Sequence, residues 1–131
     1  MAHALSGDAR VTRGMEAQLT ARRARVARGE KPLGWKVGFG APAALKMLDL
    51  KAPLVGYLMQ SGQIANGGAV SIAGWTRAAA EPELAITIAH DVSPGGTLEA
   101  AAEAILSLTP AIELADVDLP PQDPEAILKG N

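Results

Sequence analysis

An α+β domain with a mixed or antiparallel sheet is the fold class predicted by this 131-residue sequence. Three observations predict it. Periodic stretches run in the order helix, several strands, helix, strand, with no βαβ unit that would build a parallel sheet. Residues 81–89, EPELAITIA, alternate apolar and polar at the strand period of two. The length suits one domain, with no internal repeat and no low-complexity linker to divide it.

The spacing predicts a first helix over 13–28, RGMEAQLTARRARVAR. Met15, Leu19 and Val26 would form its apolar stripe. Arg22, Arg23, Arg25 and Arg28 crowd the C-terminal half, where cations suit the helix dipole, and read as a solvated face. Gly29 is its stop. Trp35–Val37 is a short strand between glycines, and Pro42 opens a helix over 42–48. Residues 54–59 and 70–73 are expected as strands around a polar, glycine-rich turn at 61–68. On the strand at 81–89, Leu84, Ile86 and Ile88 share one face, and Glu81, Glu83, Ala85 and Thr87 the other. Thr97 caps a helix at about 98–108, with Leu98, Ala101, Ala102, Ile105 and Leu108 as its buried face. Residues 110–117, PAIELADV, form a last strand. A proline-rich connection over 119–124 then leads to a helical turn at 125–128.

Composition bounds the function. Apolar residues make up 48%, but 26 residues are Ala and only four are aromatic, so the core buries little area per residue. Modest stability, or help from a partner surface, follows. Cysteine is absent, which excludes disulfides, thiolate zinc sites and cysteine nucleophiles. With His3 and His90 the only histidines, a multi-histidine metal site is excluded as well. No apolar run approaches the roughly 20 residues of a membrane span, and no signal-peptide pattern opens the chain. A cytoplasmic protein with no membrane partner is expected. Charge is uneven: residues 1–51 carry net +6 and residues 52–131 net −8. The basic part lacks interleaved aromatics and a DNA-binding motif, so no nucleic-acid partner is expected.

The acidic part carries the chemistry. Residues two apart on a strand share a face, so Glu81 and Glu83 are rooted about 7 Å apart on the same side. Like charges that close repel unless a cation lies between them. Glu113 stands between Ile112 and Leu114 on another apolar strand. Three carboxylates with no His or Cys suit Mg²⁺ or Mn²⁺ rather than zinc. The bland alternative stays open: two carboxylates on a solvent-facing strand and a third in a salt bridge. Lys36 is a lone cation inside GWKVG, suited to hold an anionic substrate or to exchange a proton, or simply to extend from a strand edge. His90 reads as part of an exposed turn. No serine stands in a nucleophile-elbow context. GFGAPA lacks the downstream acidic residue of a dinucleotide site.

Taken together, PLGWKVGFGAPAA, APLVGYL, EPELAI and PAIELADVD resemble the 2-keto-4-pentenoate hydratase branch of the fumarylacetoacetate hydrolase superfamily. The resemblance implies a mixed β-roll, incomplete here, with an N-terminal helical segment at about 1–30 and the partial roll at about 33–131, forming one domain over 1–131. It implies Mg²⁺ or Mn²⁺ held by Glu81, Glu83 and Glu113, a catalytic Lys36 near the substrate, and Asp116 supporting the ligands from behind. The implied activity is hydration of 2-hydroxypenta-2,4-dienoate in aromatic meta-cleavage catabolism. The alternatives are 4-oxalocrotonate decarboxylation on the same scaffold, or a non-catalytic truncated assembly subunit. Where many members carry acidic residues after the PxxG strand, this chain has Met59, Gln60 and Ser61. Family chains are longer, and the match falls on their N-terminal half. A homo-oligomer, or a partner supplying the other half, is therefore expected.

Overall fold

The computed structural model describes residues 7–117 and 123–130. In chain order its elements are α1 (Ala9–Ala27), β1 (Pro32–Gly38), α2 (Pro42–Leu48), β2 (Leu54–Met59), a 3₁₀ turn over Gln60–Gly62, β3 (Ala78–Ile88), α3 (Leu98–Glu103), β4 (Ile105–Asp116) and α4 (Pro124–Gly130). The class is α+β, with two small antiparallel sheets, β1–β2 and β3–β4, among the described residues. The chain forms two compact units, residues 7–70 with 123–130, and residues 71–117.

In the first unit, Asp8 caps α1 by accepting from the Arg10 amide at 2.8 Å. Its carboxylate also holds the Arg10 guanidinium at 2.6 Å, and that guanidinium reaches the Leu48 and Asp49 carbonyls that end α2, each at 3.4 Å. The Arg10 contact lowers the Asp8 pKa to about 2. The chain leaves α1 through Gly29 at φ 92°, which a side chain would strain. Expectation and structure differ over which face of α1 is buried. Val11, Gly14 and Gln18 are buried rather than the Met15, Leu19 and Val26 stripe, although Met15 packs against the core from its margin. Val26 is exposed. The reason is α4, which lies along the Val11–Gly14–Gln18 line. Gln18 donates from Nε2 to the Leu128 carbonyl at 3.1 Å, and Arg13 binds Glu125 at 2.6 Å. Val11, Leu48, Leu50, Leu54 and Leu128 make the core. The expected arginine face is only partly solvated: Arg22 lies over the Trp35 ring and Arg25 over Tyr57, at 5.0 and 5.9 Å from the centroids. Trp35 and Tyr57 are cross-strand partners, so the pair presents one aromatic face to α1.

In the second unit, β3 and β4 pair antiparallel along nearly their full length, with Glu81 opposite Glu113 and Ile86 opposite Leu108. Thr97 caps α3 as expected, accepting from the Ala100 amide at 3.2 Å. The helix does not reach 108. It ends at Glu103, and residues 105–108 are strand. An eleven-residue β3 needs a partner of its own length, and that pairing recruits Ile105 to Ser107 into β4. Consequently Leu98 is exposed rather than buried, and Ala104 is the buried residue there. No strand forms at 70–73, where the chain turns through Gly74 at φ 91°. The proline-rich connection falls largely on residues 118–122, outside the described residues.

Candidate metal centre

The second unit's ribbon sorts its side chains by parity. With one residue opposite one residue from Ala78 to Thr87, Glu81, Glu83 and Glu113 share a face with Ala79, Ala85 and Thr109. Pro82, Leu84, Ile86, Leu108, Ile112 and Leu114 take the other face. The pairing register brings Glu113 beside Glu81, and the strand period brings Glu83 to the same side. One carboxylate oxygen from each of the three lies within 4.8 Å of the others. Glu113 is half-buried, while Glu81 and Glu83 are exposed.

Two physical tests bear on what this cluster can hold. Like charges directly opposite on a ribbon destabilise it, and a cation between them offsets that cost. The donor set is oxygen only, which favours a hard cation. Oxygens on opposite sides of Mg²⁺ lie about 4.2 Å apart, and around Ca²⁺ about 5 Å. With all three oxygens within 4.8 Å of one another, the cluster is close enough to converge on an ion of this class with side-chain adjustment.

Asp116 does not enter the cluster. It lies on the opposite face by parity, and its carboxylate accepts from the Thr76 and Arg77 amides at 3.0 and 2.7 Å. Those bonds tie the end of β4 to the start of β3 and so hold the register that pairs Glu81 with Glu113. Lys36 belongs to the first unit, on β1 opposite Gly56. It lines a cavity of about 200 Å³ with Arg25, Leu33, Tyr57, Leu58, Met59 and Gly62. His90 is exposed, its Nδ1 3.2 Å from the Asp91 carbonyl.

Sequence reasoning missed the polar network beside that cavity. Arg25 binds Glu30 at 2.5 Å, and Ser61 donates to the same carboxylate at 3.1 Å. The Arg25 contact, with help from Ser61, lowers the Glu30 pKa. Glu30, and after it the Tyr57 hydroxyl, raise that of Arg25. Arg25 and Glu30 are five apart and straddle a helix end, so no periodicity joins them, and Ser61 meets them only through the β1–β2 pairing.

No family model matches the sequence. The chain is 34% identical over 97 residues to 2-hydroxyhexa-2,4-dienoate hydratase of Comamonas testosteroni, a match covering 72% of this chain and 37% of the hydratase. Two solved structures of 4-oxalocrotonate decarboxylase from Pseudomonas putida G7 share its fold. One, complexed with magnesium and adipate, has a TM-score of 0.83 and 24% identity, covering 92% of this chain and 47% of its own. The other, complexed with calcium and acetate, has a TM-score of 0.80 and 26% identity, covering 92% and 46%. The chain thus spans less than half the length of each of these relatives. Among the described residues, no helix is long and apolar enough to cross a membrane.

Proposed function

We propose, since the chain belongs to the 2-keto-4-pentenoate hydratase branch of the fumarylacetoacetate hydrolase superfamily, that Glu81, Glu83 and Glu113 hold one divalent cation for a hydratase acting on 2-hydroxypenta-2,4-dienoate. Three carboxylates gathered on one ribbon face carry this reading. Mg²⁺ or Mn²⁺ is the ion proposed. When bound, such an ion supplies Lewis acidity toward the carboxylate and 2-oxygen of a 2-oxo acid. The three glutamates neutralise and orient it, and the Asp116 bonds to the Thr76 and Arg77 amides keep Glu81 in register with Glu113. For Lys36 the reading is a cation that offsets the substrate's anionic charge or relays a proton. The two small sheets are read as part of a mixed β-roll, which sequence equivalent to the unspanned part of the relatives would complete, in the same protein or in a partner.

The decarboxylase structures favour a second reading, decarboxylation of 4-oxalocrotonate with the same donors. Both reactions need the same chelation, so the ion site is tested first. Calorimetric titration of Mg²⁺ and Mn²⁺ into the chain, with and without oxalate as a mimic of the 2-oxo-acid chelate, should show binding that oxalate tightens. Glu83→Gln should weaken the ion at least about tenfold, because charge count sets affinity in oxygen sites. A folded sample that takes up neither ion overturns the reading and leaves a non-catalytic assembly subunit. Given binding, release of carbon dioxide rather than hydration by the completed enzyme would select the decarboxylase.

A further inference from the structure

Lys36 shares its cavity with a second cation. Arg25 lines it from the last turn of α1, and Leu33, Tyr57, Leu58 and Met59 supply apolar wall. Arg25 is held where it stands. Its Nε and Nη2 donate to Glu30 Oε2 at 2.8 and 2.5 Å, Nη2 donates to Ser61 at 3.1 Å, and the guanidinium lies 5.9 Å from the Tyr57 ring centroid. The backbone fixes those partners in turn. The Glu30 amide donates to the Arg25 carbonyl at 3.2 Å, and the Gln60 amide to the Lys31 carbonyl at 2.9 Å. A guanidinium offers five donors, so these bonds set its plane and leave it capacity for a further acceptor. Charge decides what that acceptor is. Arg25, Arg28 and Lys36 outnumber Glu30, which pairs with both arginines, so the neighbourhood attracts an anion. A cavity of about 200 Å³ has the space of roughly seven waters, room for a carboxylate with a chain of a few carbons.

We propose that Arg25 is a substrate-binding residue: with Lys36 it takes the carboxylate of a small organic acid, whose short apolar chain lies against Leu33, Tyr57, Leu58 and Met59. This rests on the reading of Lys36 as the cation that meets the substrate's anionic charge, and adds to it a second cation and an apolar wall. Because Glu30 and Ser61 already fix Arg25, binding costs little further side-chain entropy there. Bonds from a charged donor to a carboxylate are roughly twice as strong as neutral ones, and an apolar wall beside a few convergent polar groups is the common form of a small-molecule site. Every residue involved lies in the first unit, so the site is tested without an ion.

Amide NMR titration of the whole chain in EDTA, with three probes, tests this. The 2,4-hexadienoate anion carries charge and chain, 2,4-hexadienamide the chain alone, and acetate the charge alone. Hexadienoate should shift residues 33–36 and 57–62, with a Kd on the order of 1 mM for a ligand so small. The amide and acetate should each bind at least about tenfold more weakly, for want of the charge-assisted bonds or of the buried chain. Arg25→Met combined with Glu30→Gln removes the ion pair without changing net charge, and should weaken hexadienoate at least about tenfold. Lys36→Met should do the same. Arg22→Met, on the same helix but over Trp35, should leave binding as it was. Equal binding of acid and amide, acetate as tight as hexadienoate, shifts confined to residues outside β1 and β2, wild-type affinity in the Arg25 and Glu30 double variant, or loss with Arg22→Met would each overturn the proposal. Unchanged binding in Lys36→Met would overturn the reading of Lys36 and the two-cation site with it. The three probes are compared on wild type, so they decide even where a variant fails to fold. A chain that takes up Mg²⁺ or Mn²⁺ but no acid loses Arg25 and keeps the ion reading, whereas acid binding without ion uptake removes the ion reading alone.

Discussion

Gly14 has no space for a methyl group. A Cβ built there meets Leu128 Cβ at 2.7 Å and Cδ1 at 2.9 Å, with the Glu125 Cα at 3.2 Å. Elsewhere in a helix, glycine to alanine stabilises by roughly 1 kcal/mol. Here that gain opposes an overpacking cost of about 1–3 kcal/mol, because the atom in the way is the root of Leu128 rather than its flexible end. Gly14→Ala should therefore destabilise the first unit by about 1 kcal/mol on balance, read by urea denaturation against wild type. A stabilised variant would mean that α4 is not seated on α1 as described. Gln18 marks the same contact from the polar side: it is 1% exposed, and its amide satisfies the Leu128 carbonyl near the end of α4.

The α1–α4 pair is also the acid-sensitive element. Glu125 binds Arg13 and Lys129, and these contacts, Arg13 first, lower its pKa below the ordinary 4.5. A carboxylate whose pKa is lower folded than unfolded adds stability above its unfolded value, and loses it as pH falls through its folded value. The α1–α4 contact should therefore weaken as pH drops below about 4.5. The Asp8 cap, with its pKa at about 2, should persist further into acid. Thermal melts across that range should show a steep fall for wild type and a flatter one for Glu125→Gln; parallel slopes would remove Glu125 from the account. At this scale the sequence was legible where one period dominated. The helix at 42–48 and the strand at 54–59 match α2 and β2, and the 81–89 alternation places Glu81 and Glu83 on one side. Residues 105–108 were not legible, because Leu98, Ala101, Ile105 and Leu108 also satisfy a helical spacing. Only pairing with β3 decides for strand. The buried line of α1 was hidden for a related reason. Gly14 and Gln18 carry no apolar signal, and what buries them is a helix more than a hundred residues away. Of the carboxylate cluster, the Glu81–Glu83 half was visible as spacing, whereas the meeting with Glu113 depends on a long-range register.

Across the whole chain, burial is divided unequally between the two units. The buried cluster of Val11, Leu48, Leu50, Leu54 and Leu128 lies in the first. In the second, Ala104 is the buried apolar residue among those described. Local opening follows burial, so amides of β3 and β4 should exchange with solvent faster than those of β2 and the middle of α1. Ion binding then becomes part of folding for the ribbon, because Glu81 and Glu113 come together only when β3 and β4 are paired in register. An ion held at 100 times its Kd stabilises the paired state by about 2.7 kcal/mol, or about a 100-fold slowing of exchange through ribbon opening. Hydrogen exchange at one protein concentration, with and without Mn²⁺, should show that slowing in β3 and β4. Amides of α1, β2 and α4, in the other unit, should be unchanged. Glu83→Gln should abolish most of the effect while leaving the ion-free pattern as it was. Uniform slowing in both units, or none in either, would separate the three carboxylates from the ion and leave their proximity a consequence of strand register alone.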